Sequence, residues 1–288
     1  MIPLGINIRS EYDASLPAQV KLLAGIGFRA FFVVYLENSQ ALFADCRKAA
    51  DDNGVTWETI HAPFWNPEGG VNTLWMPGAA GDRFLGELMH CVDACAENHV
   101  GIMVCHTSIS SVIPEPSELG GRRFDKLVAH AASAGVKLAF ENLEFAKPLR
   151  FVLRRFQDNP AVGLCWDIGH QNCFTPEHDV MGEFGHRILC VHIHDNLGKR
   201  REGIPDYEDD LHLLPFDGTI DYAEAGRRLR ASLFASSLML EVKPSTSLDR
   251  GTSTSEFDSD RFFREAYKRS ERLSSAMGYS QASVRKTS

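Results

Sequence analysis

Six side chains able to bind a metal ion or move a proton recur at one place in a repeating pattern of this 288-residue chain. His61, His106, Glu141, Asp167, His192 and Glu241 each stand at the C-terminal side of a short apolar run. Imidazoles and carboxylates gathered at the ends of apolar segments are unfavourable without a compensating charge, and a divalent cation supplies one. A single histidine in such a place reads equally well as a hydrogen-bonded core residue. A single glutamate could pair with a cation such as Lys243. Six in register are not explained in that way, so ligation is preferred for Glu141, Asp167, His192 and Glu241 and stands even with hydrogen bonding for His61 and His106. His90, His99, His130, His178 and His186 fall in helical or loop segments and are read as ordinary polar residues.

Three local patterns add to this set. In VHIHDN (191–196), an extended backbone puts His192 and His194 on one side. In WDIGHQN, His170 follows Asp167 by three residues where an extended run gives way to a turn, so it can point back over the pocket. In DLHLLPFDGTIDY, Asp210 and His212 precede a Pro/Gly turn, which alone is a weak signal.

The elements that must position these groups follow from periodicity. Apolar runs at 3–8, 29–35, 56–62, 101–107, 136–142, 162–168, 188–195 and 238–243 read as strands, and segments 17–27, 41–54, 84–99, 124–135, 222–233 and 257–273 carry helical spacing. Gly27, Gly54 and Gly135 stand where helix C-caps belong. Near-continuous apolar strands separated by helices imply a parallel sheet covered on both faces, and eight units predict an α/β fold of the (β/α)8 TIM-barrel type in a single domain, with functional groups at the C-terminal mouth. The rival is an open doubly wound sheet. No G-x-G-x-x-G follows the first strand, so dinucleotide binding has no support. The barrel is expected over 1–275, with a flexible tail at 276–288.

Composition bounds the function. The chain is 44% hydrophobic and 24% charged, enough to bury a large core. Seven scattered cysteines without C-x-x-C pairs suit reduced thiols in the core. There is no membrane-length apolar run, and the start MIPLGINIRSEYD lacks the character of a secretory signal, so a cytoplasmic location is expected. A net charge of −8 disfavours contact with nucleic acid. A small ligand is the default partner, no membrane contact is expected, and a homo-oligomer is compatible.

The motifs IHAPF (60–64), FEN (140–142), WDIGH (166–170), VHIHDN, D-x-H with LLPFDGTID (213–221), and LEVKP (240–244), taken together, resemble the xylose-isomerase-like TIM barrel superfamily of sugar isomerases and epimerases, inosose-processing enzymes and endonuclease IV. The resemblance spans roughly residues 3–275. It implies a four-ligand site of Glu141, Asp167, His192 and Glu241 for one divalent ion, manganese, magnesium, cobalt or zinc, with His194 as a pocket-rim or supporting residue and Asp195 orienting a neighbour. His170 matches a substrate contact of the epimerases and a zinc ligand of the endonuclease. His61, His106, Asp210 and His212 match positions where the endonuclease holds further zinc ions.

The activity implied is isomerisation or epimerisation of a sugar or keto-polyol. A divalent ion on the carbonyl and neighbouring hydroxyl would stabilise an enediolate, with Glu241 as base and Glu141 as acid/base partner. His170 and His106 would orient hydroxyls, and Phe64 and Trp65 would wall the sugar face; Trp166 reads as barrel packing. Ketose 3-epimerases carry a second glutamate six residues after the first metal glutamate, where this chain has Lys147, and an arginine six after the metal histidine, where it has Gly198. These departures leave the sugar open and keep dehydration of a keto-polyol in view. A zinc-dependent abasic-site endonuclease is the runner-up, opposed by the acidic loop GKRREGIPDYEDD (198–210), and a non-catalytic sugar-binding barrel is the third reading. The absence of a glycine-rich anion loop disfavours a phosphorylated substrate, for which Lys147, Arg150 and the basic run 199–201 could serve.

Overall fold

The computed structural model describes residues 2–200, 205–232, 234–244 and 258–279. Every apolar run contains a strand: β1 Leu4–Asn7, β2 Ala30–Val34, β3 Thr56–His61, β4 Ile102–Cys105, β5 Lys137–Glu141, β6 Val162–Asp167, β7 Ile188–His192 and β8 Leu238–Leu240. They pair in parallel in the order β7-β6-β5-β4-β3-β2-β1-β8. The two ends of this sheet meet at Ile193, whose N–H donates to the Met239 carbonyl at 2.9 Å and whose carbonyl accepts from the Glu241 N–H at 2.9 Å. The fold is a (β/α)8 barrel, and the open-sheet alternative falls.

Strand alternation sorts the side chains. Leu138, Phe140, Leu164, Trp166, Val191 and Ile193 join the large core beneath the helices, while Ala139, Cys165 and Cys190 cluster with Val104 inside the barrel. The next inward positions along β5, β6 and β7 are Glu141, Asp167 and His192, so the polar ring caps a small apolar plug. Register sets Asp167 level with His192, and staggers Glu141 one inward position lower, beside Cys165. All seven cysteines are buried free thiols.

The helices are α1 Leu16–Ile26, α2 Gln40–Asn53, α3 Ala79–Glu97, α4 Glu118–Ser133, α5 Ala146–Arg155, α6 Ile168–Cys173, α7 Val180–Phe184, α8 Tyr222–Ala231 and α9 Ser259–Ala276. Gly54 closes α2 with φ 62°, the left-handed conformation its position predicts. Sequence periodicity misses α5, α6, α7 and the 3-10 turn Gly70–Trp75, and it starts α3 and α4 late. The glycines that hide the α4 start serve packing: a Cβ at Gly120 would stand 2.2 Å from the Trp75 ring. None of the described helices is long and apolar enough to cross a membrane.

The stretch expected to fray from residue 276 is ordered further, because Met277 is fully buried and a Cβ on Gly226 of α8 would lie 2.4 Å from it. Arg201 and Glu202 of the loop after β7 and residues 280–288 of the expected tail lie outside the described residues.

Candidate metal centre

Glu141, the last residue of β5, is wholly buried at the centre of the ring. Its Oε1 lies 2.6 Å from His192 Nδ1, and its Oε2 lies 3.3 Å from His61 Nε2 and 3.0 Å from His106 Nε2. Glu241 Oε2 stands 3.0 Å from the same His192 nitrogen. His192 stacks on Phe32, with centroids 4.7 Å apart, so its ring is fixed in plane.

Backbone carbonyls decide which nitrogen several imidazoles present. Nδ1–H of His61 donates to the Ala62 carbonyl at 2.8 Å, that of His170 to Asn142 at 3.2 Å, and that of His212 to Glu241 at 2.9 Å. Each therefore leaves Nε2 as the nitrogen turned toward a carboxylate, the one that a metal-binding histidine offers once it has given up its proton. His61 Nε2 faces Glu141; His170 and His212 face Asp210 Oδ2 at 3.7 and 2.9 Å.

Among the described residues, four groups bring single donor atoms within 4.8 Å of one another: Glu141, Asp167, His192 and Glu241; His61, His106 and Glu141; His170, His194, Asp210 and His212; and Glu141, Cys165 and His192. The first is the set that the resemblance implies. The second and third contain every other position the sequence singled out for additional metal or substrate. Asp167 ties the groups together. Its Oδ1 caps α6 by accepting from the His170 N–H at 2.6 Å and lies 3.2 Å from His194 Nε2.

The contacts narrow the sequence expectations. Of its two readings, His194 takes the supporting one: it is fully buried in the third group, stacked on His212 at 4.1 Å, because the period-2 strand places it inward behind His192. Asp195 orients its neighbours, holding the loop after β7 by accepting from the N–H groups of Asn196 at 2.9 Å, Phe216 at 2.9 Å and Ile220 at 3.3 Å. Arg150, Lys147 and Arg200 are taken up by Glu183, Glu115 and Asp209. Trp166 packs in the outer core as read, with Nε1–H on Gln171 at 2.6 Å.

A cavity of about 620 Å³ opens over the ring, lined in part by His61, His106, His170, Asp210, His212 and Glu241. Phe64 stacks on His106 at 4.6 Å, Trp65 is 63% exposed at the mouth, and Lys243 completes that wall. Two residues of the site are not among the candidates read from the sequence, although the first closes the FEN motif. Asn142 clamps β5 to β6 by donating from Nδ2 to the Asp167 carbonyl and accepting from the Asp167 N–H, both at 2.8 Å. Glu144, buried in the loop after β5, also lines the cavity.

Electrostatics follow from crowding. Burial opposes charge on His192, yet Glu241 and Glu141 outweigh it and hold the imidazole well above its usual value. Asp167 and Asp210 do the same for His170 against its burial. Burial instead lowers His106 and His212. Against their burial, Glu141 and Glu241 are held well below the usual carboxylate range, chiefly by His192. Burial pushes Glu144 up to about 7.

A family model for the xylose isomerase-like TIM barrel matches residues 20–262. The uncharacterized protein y4fM of Sinorhizobium fredii is 32% identical over 127 residues, which cover 42% of this chain and 38% of that relative, so the match spans well under half of the relative's length. Among solved structures, 3-keto-D-glucoside 4-epimerase from E. coli superposes with a TM-score of 0.68 at 14% identity, over 96% of this chain and 100% of its own. D-psicose 3-epimerase does so at 0.69 and 16%, over 94% and 99%. At these identities the two structures show a common fold. With a family model covering most of the chain and a barrel to match, the chain belongs to the xylose isomerase-like TIM barrel family.

Proposed function

We propose that the chain is a divalent-metal-dependent isomerase or epimerase of a sugar or keto-polyol. The observation that carries this reading is the ring of strand-end carboxylates whose facing imidazoles are set by backbone carbonyls to present Nε2. The donor set fits a metal: Asp167 Oδ2 is buried without a hydrogen-bond partner, His192 turns Nδ1 toward both Glu141 and Glu241, and mixed N/O ligands suit manganese, magnesium, cobalt or zinc. Glu141, Asp167, His192 and Glu241 would hold the ion. When bound, it would supply positive charge for the carbonyl and adjacent hydroxyl oxygens of the substrate as a proton leaves the hydroxyl-bearing carbon beside the carbonyl. Glu241 lines the cavity and is the base; His170 and His106 orient hydroxyls; Phe64 and Trp65 face the carbon skeleton. Sugar epimerases among the fold neighbours support the same chemistry.

Replacing Glu241 by Gln tests the assignment. Loss of solvent deuterium exchange into ketoses by about 100-fold or more is expected, and unchanged exchange would remove the residue from its role. Metal-dependent cleavage at abasic DNA is favoured by one feature, the presence of metal-competent groups beyond the first, His61 with His106 and Glu141, and His170 with His194, Asp210 and His212. Three zinc ions per chain together with cleavage of abasic DNA would establish it, against the net charge of −8.

A further inference from the structure

The base needs a partner to return the proton, and the cavity wall offers one that the metal ring does not. Glu141 is enclosed by His61, His106 and His192, which occupy both its oxygens, and it is not among the cavity-lining residues. Glu144, three residues further on, lines that cavity from the loop after β5, across the mouth from Glu241 after β8. Its Oε1 accepts from the Ser110 N–H at 3.3 Å and from the Tyr207 hydroxyl. Its Oε2 is buried without a partner.

We propose that Glu144 is the second acid/base carboxyl of the site, delivering a proton to the face of the substrate carbon opposite to that which Glu241 deprotonates. The proposal rests on the proton-abstraction reading above. Glu241 takes the proton and the C–H electrons enter the enediolate; Glu144 gives its Oε2 proton to the carbon, the electrons return to form the new C–H bond, and solvent resets both carboxyls. Ser110 and Tyr207 fix Oε1 so that the free oxygen is always the same one. The titratable neighbours are Tyr207, His170 and Asp210 on the cavity side and Arg150, Glu177, His178 and Asp179 on the outer side. Burial brings the carboxyl to about 7, which lets it hold a proton at neutral pH.

The test uses the manganese-loaded protein in heavy water with D-psicose, D-fructose and L-ribulose. In Glu144→Gln, one epimer of a pair should still exchange its proton within about threefold of the wild-type rate, while interconversion of the epimers falls by about 100-fold or more. Metal content and thermal midpoint should not fall, because Gln is isosteric, keeps an acceptor for the Ser110 N–H and the Tyr207 hydroxyl, and removes a carboxyl whose charge is costly to bury. Interconversion close to the wild-type rate overturns the proposal. A lowered midpoint with equal loss of exchange in both epimers also overturns it, showing Glu144 to be a clasp for Tyr207. If none of the three ketoses exchanges with the wild type, the pair is taken from a wider panel of ketoses, inososes and keto-acids; exchange into none of that panel overturns the proton-abstraction reading itself and this proposal with it.

Discussion

At the scale of residues, charge balance is the governing constraint. Four carboxylates, Glu141, Asp167, Asp210 and Glu241, are packed among six imidazoles, and without a cation protons on His192 and His170 provide the balance. A ligating nitrogen must surrender its proton, so metal uptake should release protons, and manganese affinity should weaken as the medium is taken from about pH 8 to about pH 6. Calorimetry in two buffers of different ionisation enthalpy checks this; identical heats would contradict it. Glu144 behaves oppositely to a paired carboxylate. Its folded value is raised from 4.5 to about 7, so the folded protein binds the proton more tightly than the unfolded one. That contribution is complete below pH 4.5 and is lost as pH rises toward 7. The stability difference between wild type and Glu144→Gln in urea titrations should therefore change across that window and be flat above it. Strand-end histidines and acids were legible from sequence because each follows an apolar run. Glu144 was not, since a loop residue three positions past a strand has no periodicity to betray it; His194 could be put on the side of His192 by strand alternation, but not its choice between rim and supporting place, which burial decides.

At the scale of elements, close approach explains what sequence periodicity could not read. Gly169, in the first turn of α6, leaves the space that the His194 imidazole fills: a Cβ there would stand 2.1 Å from His194 Cε1. Gly169→Ala should displace His194, destabilise the fold by about 1–3 kcal/mol, and loosen the third metal-competent group while sparing the first. Metal content per chain and urea unfolding measure both effects, and a variant with wild-type stability would contradict the packing account. Arg123 plays the same positioning part for the segment between β3 and α3. Its guanidinium, 4% exposed, donates to the carbonyls of Thr73, Leu74, Met76 and Gly78. Arg123→Met leaves several buried carbonyls unsatisfied and should cost about 2–4 kcal/mol, read from the same titration. The strands were all visible as apolar runs. The helices α6 and α7 were not, because six and five residues are too short for amphipathic spacing and their starts rest on the caps Asp167 and Asp179; α5 carries such spacing in Leu149, Val152 and Leu153, with Pro148 in its first turn obscuring where it begins.

At the scale of the whole molecule, eight parallel strands bring residues from positions 61 to 241 to one mouth, which no local segment could do. Sequence showed that architecture through repetition. The cavity could not be read in the same way, because its volume of about 620 Å³ depends on how loops from several units meet. The central claim is that a metal ion held by Glu141, Asp167, His192 and Glu241 makes the carbon beside a carbonyl acidic. The most direct measurement is solvent deuterium incorporation into a panel of ketoses, inososes and keto-acids by metal-loaded protein, before and after chelation. Incorporation into at least one compound, lost on chelation and restored by manganese, magnesium, cobalt or zinc, is the predicted result; no incorporation by protein that retains its metal would contradict it.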